Sequence, residues 1–215
     1  MDDVRELFSR LQRGARLTPA ELRNSLPSQI GDCIRAMAEN HNFFSDELCP
    51  FSPSRFKRHD LCAHAFLLEL LGADSDLKAP NLREMYEQHA RNVPKGIPKK
   101  VTTVLNYMEA MQRARPKCIC TKWGFVDIYL LVSQHRKLVP DSADLAARFV
   151  EFEARRHQYT RTPKDLLIAD GYGRVSQRDQ RLYDYITAFQ TSGSQANNLQ
   201  SRHAILKKDL LKIDT

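Results

Sequence analysis

Nothing in this chain of 215 residues is long and apolar enough to cross a bilayer. Its best apolar stretch, Ala65 to Ala73, is broken by Glu69 and falls far short of the ~20 residues a spanning helix needs. The first twenty residues are charged and lack an apolar segment, so no secretory signal is expected and no membrane partner follows. Cysteine is scarce. Cys33, Cys49, Cys62, Cys118 and Cys120 form an odd set, which fits reduced thiols in the cytoplasm rather than a disulfide framework. Cys118 and Cys120 are too close in sequence for a zinc motif, and His59 and His64 do not share a helix face, so no metal is expected. The chain has no G-x-x-x-x-G-K-[ST] loop, and its one G-x-G, Gly171 to Gly173, follows no apolar strand; this chain alone is expected to hold no cofactor. Strand-like alternation and fixed-period repeats are also missing, which excludes sheet folds and solenoids.

What is present reads as helix almost throughout. Apolar content of 42% and charged content of 27% suit a globular protein. The periodicity predicts an all-α fold of about nine helices in two small packed lobes, residues 1–92 and 93–215, with the turn Val93 to Pro98 as the hinge. Ser28 is expected to cap one helix, and Ser54 to start another that buries Leu61, Ala65, Leu68 and Leu71 and ends at Gly72. Phe43 to Pro53 reads as an aromatic loop packing over the core. Trp123 to Val132 is apolar nearly all round and must be buried. Ser176 caps a helix carrying Leu182, Tyr185, Ile186 and Phe189 on one side, and the last helix runs from Leu199 to Leu211.

The most informative stretch is FSRLQRGARLTPAELRN, Phe8 to Asn24. Val4, Leu7, Phe8 and Leu11 form one apolar stripe, Gly14 sits where a left-handed helix terminus belongs, and Thr18, Pro19 and Glu21 spell a capping box. With RFKRHD around Arg58 and Asp60, and the closing SGSQANNLQSRHAILKKDLL with Arg202, it resembles the GmrSD-type restriction endonuclease N-terminal domain family. The junction residues are Arg10, Gln12, Gly14, Glu21, Arg23 and Asn24; Gln12 departs from the family's usual asparagine by one methylene. In that family this segment joins a ParB/sulfiredoxin-like catalytic half to a helical half. The upstream half carries a DGQQR-like motif, which is absent from this chain. The resemblance therefore implies the helical half alone of a modification-dependent restriction or phage-defence protein. Such a half would hold DNA or support a nucleotide-dependent catalytic half, any nucleotide being bound only with that half. A non-enzymatic helical interaction scaffold is the alternative.

The net charge is +7. Lys99, Lys100, Arg113, Arg115 and Lys117 in one region, and Arg155, Arg156, Arg174 and Arg178 in another, together with Arg202, are the candidate contacts to a nucleic-acid backbone. No recognition helix, zinc finger or aromatic RNA motif accompanies them, so base readout is not expected. Tyr159, Tyr172 and Tyr183 lie in or beside the second region as candidate stacking residues, whereas Tyr185 belongs to the apolar face. For catalysis, Asp60 and His64 lie one turn apart, but no partnered nucleophile accompanies them. His64 reads as a satisfied buried histidine, and Asp60 with Arg58, or with Arg23, as an ion pair locking two helices. No catalytic residue is assigned.

Overall fold

Five polar side chains set where helices begin: Thr18, Ser28, Thr121, Asp141 and Ser176 each accept a hydrogen bond from a backbone N–H in the first turn that follows. The computed structural model describes residue 14 and residues 17–168 and 174–213. Arg10, Gln12, the apolar stripe Val4 to Leu11 and the turn containing Tyr172 lie outside the described residues.

Among the described residues the chain forms nine α-helices and no strand. They are α1 (Pro19–Asn24), α2 (Gln29–Asn40), α3 (Lys57–Leu71), α4 (Ala79–Gln88), α5 (Ile97–Ala114), α6 (Lys122–Gln134), α7 (Ser142–Tyr159), α8 (Gln177–Ser192) and α9 (Ala196–Leu211). Two of them form the centre. Every residue of α3 from Leu61 to Leu68 is buried, as is every residue of α6 from Gly124 to Val132. A helix hydrophobic all round is stable only when neighbours cover every side. For α6 those neighbours are α3, α5 and α9; for α3 they are α1, α2, α4, α5 and α6. The segments before and after residues 93–98 contribute to one apolar cluster running from Ile30 to Leu211. The loop after α2 packs over this core as its aromatics suggested, with Phe43 and Phe44 buried and the Phe43 ring 5.6 Å from that of Phe125.

Two local expectations need correction. The helix at Ser54 starts later: a short 3-10 turn, Ser54–Phe56, intervenes, and Arg55 and Phe56 both take left-handed backbone, φ 56° and 58°. For an L-residue this costs about 1–2 kcal/mol each. Side-chain contacts offset the cost, because the turn carries Arg55 to Glu21 and sets the Phe56 ring edge-on to His59. Leu71 is the second case. It is 51% exposed, because it is the last residue of α3 and Gly72, at φ 67°, turns the chain away from the core there.

Candidate functional site

Of the junction residues that the structure describes, Glu21 and Arg23 meet the second family-like motif in space. Glu21 closes the capping box: the Thr18 N–H donates to its Oε2 at 2.6 Å, and the Glu21 N–H donates to Thr18 Oγ1 at 3.2 Å. Burial pushes the Glu21 carboxyl up, but the Thr18 N–H and the Arg55 guanidinium outweigh burial and hold it at about 2. Two residues on, Arg23 is buried and its Nη2 donates to Asp60 Oδ1. Lys122 reaches the other oxygen of Asp60 at 2.9 Å. Asp60 is therefore shared between α1, α3 and α6. Burial raises its carboxyl, and His64 when protonated, then Lys122 and Arg23, pull it below the usual range. Burial drives His64 down to about 4, so the imidazole is neutral at pH 7 and Lys122 and Arg23 are the cations that hold Asp60 there.

The expected Arg58–Asp60 pair does not form. Residues two apart on a helix point to different sides. Arg58 instead donates from Nε to the Phe51 carbonyl at 2.9 Å and pairs with Asp46 at 2.7 Å, tying the aromatic loop to α3, while Asp60 takes Arg23. His64 Nδ1 lies 2.5 Å from the Asp60 carbonyl oxygen. The nitrogen must donate there, which leaves His64 Nε2 unprotonated, buried and without a partner. Asn24 donates to the Ala20 carbonyl at 3.0 Å. Beside this cluster lies an open groove of about 590 Å³, lined by Leu61, Leu77 and Leu82 together with Arg23, Asp60 and Lys122.

The basic candidates separate into surface and core. Lys99, Lys100, Arg113, Arg115, Lys117, Arg174 and Arg178 are exposed. Arg113 pairs with Glu109 at 2.9 Å and Arg178 with Glu151 at 2.9 Å. Arg155 is half-buried against Asp179. Arg156 and Arg202 are corrections. Arg156 is buried, donates to both oxygens of Glu153 at 2.6 and 2.8 Å, and lies over the Phe189 ring at 4.4 Å. At 8% exposure it is held in the core, away from the surface a phosphate would meet. Arg202 is 0% exposed. Its Nε and Nη2 donate to Asp127 between 2.8 and 3.0 Å, Nη2 also donates to the Gly193 carbonyl at 3.0 Å, and Tyr185 Oη donates to Asp127 at 2.7 Å. Gly193 belongs there because a Cβ would meet the Trp123 indole nitrogen at 2.5 Å. The arginine of the closing family-like helix therefore works in the core.

Charge counting in sequence missed a cleft. Arg155 and Arg178 are joined by Arg148, Arg181, Lys208 and Lys212 around a cavity of about 310 Å³ between α7, α8 and the end of α9. The i, i+7 spacing of Arg148 and Arg155 and the i, i+3 spacing of Arg178 and Arg181 were readable as shared faces. That the end of α9 joins them was not.

Among the described residues no group of three or more His, Cys, Asp or Glu side chains is placed to hold a metal ion, and no helix is long and apolar enough to cross a membrane. His135 and His203 bond to each other, Nε2 to Nε2 at 3.1 Å, without a third ligand. All five cysteines are free thiols, and burial pushes Cys118 up to about 12. Fold and site together define an all-helical protein with a buried arginine–aspartate lock, a three-helix carboxylate junction and a cationic cleft. No family model, no curated protein and no solved structure matches the chain.

Proposed function

We propose that this chain is the helical portion of a GmrSD-like modification-dependent restriction or phage-defence protein, one that holds DNA or supports a nucleotide-dependent catalytic half. The observation that carries the reading is the Arg23–Asp60 contact: two motifs of the resemblance, far apart in sequence, supply the two halves of one partly buried ion pair at the edge of an open groove. A catalytic half is assigned to that face. DNA is assigned to the exposed cations Lys99, Lys100, Arg113, Arg115, Lys117, Arg174 and Arg178, which would meet phosphates without reading bases. Catalysis is assigned to the other half, so purified chain turns over no nucleotide. The cytoplasm is the proposed compartment, where the five thiols stay reduced.

Fluorescence anisotropy of a labelled duplex, at about 50 mM and about 200 mM salt, tests the reading. Binding at the lower salt that weakens steeply at the higher is expected, and no binding at either discards DNA as the partner. A second reading, a non-enzymatic interaction scaffold, draws on the groove of about 530 Å³ formed by Pro19, Leu22, Leu26, Ala79 and Pro80, where Leu22 is 49% exposed. On that reading duplex DNA leaves the anisotropy unchanged, and Leu22→Asp weakens association with a partner chain.

A further inference from the structure

We infer that the cleft between α7, α8 and the C-terminal end of α9 is a binding site for a compact, multiply charged phosphate group. The inference goes beyond the proposed function and does not depend on it. Arg148, Arg155, Arg178, Arg181, Lys208 and Lys212 line the cleft against only Glu151 and Asp209; with Asp179 behind Arg155 included, the formal surplus is three positive charges. The guanidinium groups are held in advance. Arg181 is held by Asp209 at 2.7 Å, Arg155 by Asp179 and Arg148 by the Leu210 carbonyl at 2.7 Å, while Arg178 pairs at the exposed rim with Glu151 at 2.9 Å. Each keeps further N–H donors, so little ordering remains for a ligand to impose. Lys208 and Lys212 have no ion-pair partner among the described residues. Phe152, Leu182 and Leu210 are buried and line the same cavity, and an apolar lining strengthens attraction to an anion.

The structural alternative is that these cations merely offset the negative end of α9. That role is already filled, because Arg148 bonds the Leu210 carbonyl directly, and it gives no reason for Arg155, Arg178 and Arg181 to face the same space. Size narrows the ligand. A cavity of about 310 Å³ is at the small end of ligand sites, suited to pyrophosphate or the terminal phosphate of a strand and too small for a duplex.

Titration calorimetry with inorganic pyrophosphate at low salt tests the site. One binding event per chain is expected, weakened about tenfold or more in Lys208→Ala/Lys212→Ala and in Arg178→Ala, with circular dichroism showing that the variants fold. No binding by the unmodified chain, or unchanged binding by both variants, overturns the inference. Oligonucleotides with a 5′-phosphate or a 5′-hydroxyl separate two sources of the same chemistry. Preference for the phosphorylated strand, displaced by pyrophosphate, supports a strand end as ligand; equal binding with pyrophosphate affinity retained supports a free oligophosphate. Failure to bind duplex with pyrophosphate binding intact removes the DNA-holding function and leaves the cleft, and the converse removes the cleft alone.

Discussion

Asp127 and Asp60 are both shared acceptors for an arginine from another helix, yet they do different work. Asp127 is 0% exposed, and its oxygens are filled by Arg202 and Tyr185, while Arg202 also donates to the Ala188 and Gly193 carbonyls. Asp60 is 20% exposed. Around it Arg23 Nε and His64 Nε2 are buried without hydrogen-bond partners, and Lys122 is 42% exposed. A network in which every group is satisfied fixes a core, whereas an incompletely satisfied one tolerates rearrangement at a surface that something else covers. The comparison assigns Asp127 to folding and Asp60 to the junction face.

The largest expected effect breaks the first half of that comparison. Asp127→Ala leaves the Arg202 charge buried and unpaired, and a loss of about 3–5 kcal/mol in unfolding free energy is expected by urea denaturation. A loss below about 1 kcal/mol would place Asp127 with ordinary surface pairs. Asp60→Ala is expected to cost less, about 1.5–3 kcal/mol: buried Arg23 loses its partner, but Asp60 is 20% exposed, so water can enter where the carboxylate stood, and Lys122 turns to water. If the two variants lose the same stability, the distinction between lock and junction fails.

Acid sharpens the comparison, since the Asp60 side holds groups that titrate. An unfolded histidine binds a proton below its ordinary value of 6.5, whereas native His64, buried, does not until about 4. His203, next to Arg202 on α9 and therefore not on the Asp60 side, is pushed down to about 4 by burial and then by His135 and Lys207 and adds to the same loss. The unfolded state therefore binds more protons in this window, so their contribution is complete above pH 6.5 and shrinks as pH falls toward 4. Glu21, held at about 2 against an ordinary 4.5, adds a loss over that lower window. Denaturation midpoints measured across this range should fall, and His64→Leu should flatten the upper part of the curve. An unchanged slope in that variant would show that His64 does not report on the junction.

The smallest effect lies at the surface. Arg178→Ala removes an exposed pair with Glu151, in which both side chains are more than half exposed, and is expected to change stability by under about 1 kcal/mol. A larger loss would make that arm of the cleft structural.

Helix starts were legible because they depend on neighbours in sequence: Thr18, Ser28 and Ser176 all cap as their spacing implied. The burial of α6 and of Tyr185 was legible too, since an apolar face has nowhere else to go. The fates of Arg156 and Arg202 were not, because counting charge along a chain does not say which side of a helix each occupies. One clue was available. Asp127 is the only charged residue in the otherwise apolar stretch Trp123 to Val132 of α6, and a carboxylate there requires a buried cation, which Arg202 supplies. The left-handed pair Arg55 and Phe56 had no local signal, since it is held by Glu21 and His59 through tertiary contact.

The most direct test of DNA holding is the salt dependence of duplex affinity, compared between the unmodified chain and a variant with Lys99, Lys100, Arg115 and Lys117 changed to alanine. The log of affinity is expected to fall linearly with the log of salt, and the slope to shrink by about one for each contacting charge removed. Affinity and slope identical in the two chains, or no duplex binding at about 50 mM salt, would contradict it.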